Sequence, residues 1–177
     1  MALTVEDGTG VVGADSYAAV ATADTYWTNR TNQSLSTTWS GATTAVKEGA
    51  LREATAFLDA VFGPYYRGHR KSSEQGLLWP RSEAYEADNY PLPDLPQQIV
   101  DATCDLAARA ISARLASDDE RGGMVKSTRE KVDVISTEVT YADGAPRWKT
   151  YGYIEGMLAL VLNGLQPNAP SPHWNWI

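Results

Sequence analysis

Between Thr44 and Phe62 the chain repeats apolar residues on one helical face, and the next two residues, Gly63 and Pro64, forbid that helix from continuing. Val46, Ala50, Leu51, Ala54, Phe57, Leu58 and Val61 share a face, while Lys47, Glu48, Arg52, Glu53 and Asp59 occupy the other. That period predicts a long amphipathic helix whose stripe must be covered by other helices. Proline lacks the N–H that would carry the ladder forward, and glycine tolerates a left-handed cap, so the helix stops there.

Past this stop the periodicity is lost. Residues 63–95 hold Pro64, Pro80, Pro91 and Pro93 and read as a long central loop, with Leu77-Leu78-Trp79-Pro80 as an apolar plug packed along it. Loops of this length inside a domain are usually functional. Pro96 suits the first position of another helix, and Ile99, Val100, Thr103, Leu106, Ala107, Ala110, Ile111 and Leu115 carry helical spacing toward Ser117. Ahead of these, Asp15 or Ser16 can cap a helix running to about Asn29, with Ala19, Val20, Ala23, Tyr26 and Trp27 on its stripe, and residues 31–43 read as a polar loop. Residues 124–142 change period and predict a β-hairpin with a break near Asp133. A last helix is expected over residues 151–165, from Ile154, Met157, Leu158, Val161, Leu162 and Leu165. Residues 1–14 read as an N-terminal arm and 166–177 as a C-terminal tail, so residues 15–117 hold the main helical body of one domain.

A chain of 177 residues with 43% apolar and 21% charged residues can bury a core without disulfides. Its formal charge of −7 and pI near 4.8 oppose broad adhesion to nucleic acid or anionic membranes, so any DNA contact must be local. Cys104 stands alone among apolar neighbours and reads as a buried, inert thiol. The opening residues lack a basic and apolar signal, and Met157 to Leu162 is too short an apolar run to cross a bilayer, so folding in a cytoplasm without membrane contact is expected.

No catalytic constellation emerges. Gly8-Thr9-Gly10-Val11-Val12-Gly13 spells the dinucleotide fingerprint, yet it lacks the preceding strand and the second strand ending in an acid that give the motif meaning. His69, His173 and Cys104 are scattered beyond metal-ligand spacing, and no serine or cysteine has a histidine arranged for acyl transfer. Carboxylates such as Glu83 with Glu86, or Asp118-Asp119-Glu120, lie in polar stretches where solvated charge is the ordinary state. The expectation is a non-enzyme with no cofactor and no metal.

Two aromatic segments remain. Tyr65, Tyr66, Arg67, His69, Arg70 and Lys71 mix cations and rings in a way that suits phosphate contact and base stacking, or contact with a neighbouring subunit. The competing reading places the tyrosines in the core and leaves the cations solvated. The tail Pro172, His173, Trp174, Trp176 and Ile177 carries indoles that are costly to leave in water, so it should fold back on the chain or dock on a partner.

Three segments in fixed order carry a family resemblance: Leu3-Thr4-Val5-Glu6-Asp7-Gly8 opening into Asp15-Ser16-Tyr17-Ala18, then Gly76-Leu77-Leu78-Trp79-Pro80-Arg81, then Leu95-Pro96-Gln97-Gln98-Ile99. The layout resembles the head-tail connector, or head-completion adaptor, family of tailed bacteriophages, whose members are often labelled DnaT-like single-stranded DNA-binding proteins. The resemblance implies a mainly α fold: a four-helix adaptor-type bundle with a small β-hairpin, a long central loop and extended N- and C-terminal arms. It further implies a structural virion protein in the neck, made in the host cytoplasm, that forms a twelve-fold homo-oligomeric ring below the portal protein. Such a ring extends the DNA channel, meets packaged DNA and joins a downstream neck or tail protein. The alternative takes the label at face value, as a single-stranded DNA-binding accessory of replication.

Overall fold

A computed structural model describes residues 2–116, 125–131, 136–141 and 151–164. Five helices and two two-stranded antiparallel sheets make the described residues mostly helical. The order is α1 (Val20–Thr28), α2 (Ser34–Ser40), α3 (Thr44–Phe62), β1 (His69–Arg70), β2 (Arg81–Ser82), α4 (Gln97–Ser112), β3 (Val125–Lys131), β4 (Ser136–Tyr141) and α5 (Gly152–Leu158).

The long helix α3 forms over the predicted residues, capped by the Thr43 hydroxyl, which accepts from Val46 N–H. Its buried stripe of Leu51, Ala54, Leu58 and Phe62 packs on α4, where Ala102, Ala107 and Ala108 are small enough to let two backbones approach. Helices α1, α2 and α5 also touch α4. Trp27, Trp39 and Trp79 are fully buried in the same core. Each buries on the order of 200 Å2, which makes indoles the largest single contributors to core energetics.

Several boundaries differ from those expected, each for a local reason. Helix α1 starts at Val20 because Asp15 and Ser16 are used elsewhere: Asp15 accepts Thr4 N–H and pairs with Arg52 at 2.6 Å, and the Ser16 hydroxyl bonds Ala18. The expected polar loop at 31–43 contains α2, whose Trp39 is buried and donates to Asp24 at 2.8 Å. Lys47 meets the same carboxylate oxygen at 2.7 Å. The expected α4 run to Ser117 ends at Ser112, and Leu115 reaches the core from the following turn, its N–H donating to Glu53. The apolar stripe of α5 outlasts the helix, with Val161 and Leu162 buried in a turn and Leu162 bridging Tyr66. The strands β3 and β4 lie inside the predicted hairpin; Asp133 is outside the described residues.

The N-terminal segment is packed, contrary to its reading as an extended arm. Glu6 is 1% exposed, and its carboxylate accepts three backbone N–H groups, from Gly8, Gly10 and Val11, at 2.8 to 2.9 Å. Val11 O in turn accepts from Gly76, where a Cβ would collide with the Ala14 backbone. An internal carboxylate thus folds the glycine-rich stretch onto the central loop.

Candidate functional site

The central loop is pinned by a buried polar junction on α3. Tyr17 donates its hydroxyl to Asp59 at 2.6 Å, Leu78 N–H donates to the other Asp59 oxygen, and Trp79 N–H donates to the Tyr17 oxygen. Burial pushes the Asp59 carboxyl up to about 6, against the opposing pull of the Tyr17 and Leu78 hydrogen bonds. Arg81 completes the junction from β2. Its guanidinium donates to the carbonyls of Arg67 and Gly68 at 2.6 Å and, at 3.4 Å, to those of Tyr66 and Leu78. Gly68, at φ +71°, passes so close to β2 that a Cβ there would run into the Ser82 carbonyl.

This architecture disperses the aromatic-cation run. Tyr66 is buried edge-on to Trp79, and Tyr65 packs partly buried against the core while its carbonyl accepts from Asn163. Arg67 is half-buried, and its Nε has no hydrogen-bond partner among the described residues. Arg70 donates to Gln75 O at 2.7 Å, and Lys71 pairs with Asp94 at 2.9 Å. His69 is exposed, 3.9 Å from Glu83. The run therefore presents no continuous face of free cations with stacked rings. Pro172, His173, Trp174, Trp176 and Ile177 lie outside the described residues.

The glycine fingerprint is also spoken for. The N–H groups that would cradle a phosphate in Gly8–Gly13 point instead at the Glu6 carboxylate. The signal for this in the sequence is the acid two residues ahead of the first glycine, close enough to turn back on the amides.

A second locus had no signal in the sequence, because its residues come from two helices far apart in the chain. Trp27 on α1 donates its indole N–H to the Cys104 carbonyl of α4, which fixes the pair at their apolar faces. Burial pushes the Cys104 thiol up to about 12, in keeping with an inert role. Beside that contact the helices leave a groove of about 510 Å3, within the ~300–1,000 Å3 of small-molecule sites. Thr22, Thr25, Asn29 and Arg30 line it from α1 and the turn after it, and Gln97 and Asp101 from the first turns of α4. The Arg30 guanidinium lies 3.6 Å from the Tyr26 ring centroid, and its Nη1 is anchored on the Tyr26 carbonyl at 3.1 Å. Gln97 donates to Asp101 at 2.8 Å. Tyr26 is 6% exposed, and its hydroxyl has no hydrogen-bond partner among the described residues.

Among the described residues no cluster of three or more His, Cys, Asp or Glu could hold a metal ion, and no helix is long and apolar enough to cross a membrane. The family model described as "Putative DnaT-like ssDNA binding protein" matches residues 1–170. No curated protein and no solved structure matches the chain.

Proposed function

We propose, from the premise that the chain belongs to this DnaT-like family, that it binds single-stranded DNA as a non-catalytic accessory of DNA replication. The family match over nearly the whole chain is the observation that carries the reading. A stacked guanidinium bordered by hydroxyl and amide groups supports it, since bases offer π-faces to any planar cation. With a net charge of −7 and Lys71 paired within the chain, affinity should come from stacking more than from phosphate neutralisation. Fluorescence anisotropy with a labelled single-stranded oligonucleotide tests this. Saturable binding with a log–log salt slope of about −1 is expected, because each phosphate contact contributes about −0.7 on single strands. Absence of saturable binding at low salt would overturn it.

A second reading is a head-tail adaptor built on a helical bundle, forming a ring below the portal protein and joining capsid to neck or tail. The observation favouring it is the same charge state: an acidic chain whose Arg81 is engaged by backbone carbonyls and whose Lys71 is paired with Asp94 suits a channel through which packaged DNA slides. In that reading Pro172, His173, Trp174, Trp176 and Ile177 dock on the portal or a neighbouring copy. Mass spectrometry of purified virions separates the two, since an adaptor is a stoichiometric virion component and a replication accessory is absent.

A further inference from the structure

We propose that the groove between α1 and the start of α4 is a nucleobase pocket, in which Arg30 supplies the stacking face and Asp101 accepts a hydrogen bond from the exocyclic amino group of the base. The inference rests on the single-stranded DNA reading and assigns it residues.

One face of the Arg30 plane is held on Tyr26 at 3.6 Å, and the Nη1 bond to the Tyr26 carbonyl stops the guanidinium from swinging away. The opposite face is the one left for a ligand, presented as a fixed platform with little ordering entropy still to lose. Around it the polar groups are neutral amides and hydroxyls, from Asn29, Gln97, Thr22 and Thr25. These match the mixed donors and acceptors of a base edge. A phosphate site would gather several cations or bare N–H groups, whereas this groove sets a single guanidinium beside a carboxylate. That carboxylate disfavours phosphate but suits an amino donor, as Asp and Glu do toward cytosine N4. Asp101 shares one oxygen with Gln97 and keeps its second for a ligand. Tyr26 itself lines the groove and backs the Arg30 guanidinium, while its hydroxyl is buried away from solvent.

Cytosine and adenine carry an exocyclic amino group and thymine does not, so the pocket should distinguish them. The test is anisotropy of the full chain with labelled oligodeoxycytidine, oligodeoxyadenosine and oligothymidine of about 20 nucleotides, longer than the ~4–16 of a single-strand site. Cytosine and adenine strands are expected to bind about fivefold more tightly than thymine strands. Asp101→Ala should erase that preference. Arg30→Ala should weaken all three about tenfold, and Arg30→Lys, which keeps the charge without the plane, should weaken them nearly as much. Wild-type affinity and base preference in both Arg30→Ala and Asp101→Ala would overturn the pocket while leaving the DNA-binding reading intact. Failure of the wild-type chain to bind any strand would overturn that reading and the pocket with it. If circular dichroism shows Arg30→Ala unfolded, Asp101→Ala on the part-exposed start of α4 decides alone.

Discussion

Arg81 and Arg30 are both half-buried, and each lies against a tyrosine ring, Tyr66 at 5.9 Å and Tyr26 at 3.6 Å, yet they have opposite fates. Arg81 spends its donors on four backbone carbonyls and locks the central loop, whereas Arg30, in the turn after α1, donates to one carbonyl of that helix and faces a groove. The difference teaches that the density of cations in a sequence does not measure the cations a surface can offer. Unpaired carbonyls in an irregular loop are the stronger claimants, because an orphaned buried acceptor costs about 1–3 kcal/mol. A cation beside several unpaired loop carbonyls is drawn inward, whereas Arg30 spends one donor on the Tyr26 carbonyl at the end of α1 and still lines the groove.

The sharpest way to break this contrast is at the junction itself. Trp79→Ala, which empties a fully buried indole site, is expected to cost about 4 kcal/mol in urea denaturation; a loss under 1 kcal/mol would mean that the loop is not part of the core. Arg81→Ala should cost about 2 kcal/mol by leaving the Arg67 and Gly68 carbonyls without their donor, while Arg30→Ala costs under about 1 kcal/mol by the same assay. Equal losses would erase the distinction between the two sites.

Asp59 sharpens the comparison through pH. Its folded-state carboxyl titrates near 6, above the ordinary 3.8, so the folded chain holds a proton there that the unfolded chain releases. The associated stabilisation is present in full below about pH 3.8 and is lost as pH rises to about 6, on the order of 3 kcal/mol in all. Thermal midpoints across this window should therefore show Asp59→Asn falling furthest behind the wild type at the acid end and drawing level toward neutrality. A gap that widens toward neutrality would reverse the sign and indicate a carboxylate stabilised by its hydrogen bonds. The smallest effect belongs to Lys71→Ala, whose partly exposed pair with Asp94 contributes under about 1 kcal/mol. Its single-stranded DNA affinity should stay within about twofold of wild type, since that cation is already paired.

Periodic elements were legible in the sequence. Helix α3 has the predicted bounds because a full apolar stripe runs its length and Pro64 ends the α-ladder, although Gly63 stays right-handed at φ −49° and leads into a 3-10 turn in place of the expected left-handed cap. Short elements whose formation depends on one distant contact were not: α2 has only Ser36 and Trp39 buried and forms around the Trp39 to Asp24 bond. The same limit applied to function. Tyr65 to Lys71 stood out because its residues are adjacent, and the groove did not because Arg30 and Asp101 are separated by most of the helical body.

The sequence by itself determined the mainly helical class, the long amphipathic helix, the placement of the hairpin and the acidic net charge, since periodicity and composition are local or additive quantities. Only the tertiary structure decided which polar groups remain available. The Glu6 carboxylate consumes the glycine-rich amides, Arg81 consumes the loop carbonyls, and Arg30 is left at a groove, because hydrogen-bond satisfaction is settled by groups distant in sequence that meet only when the chain has folded.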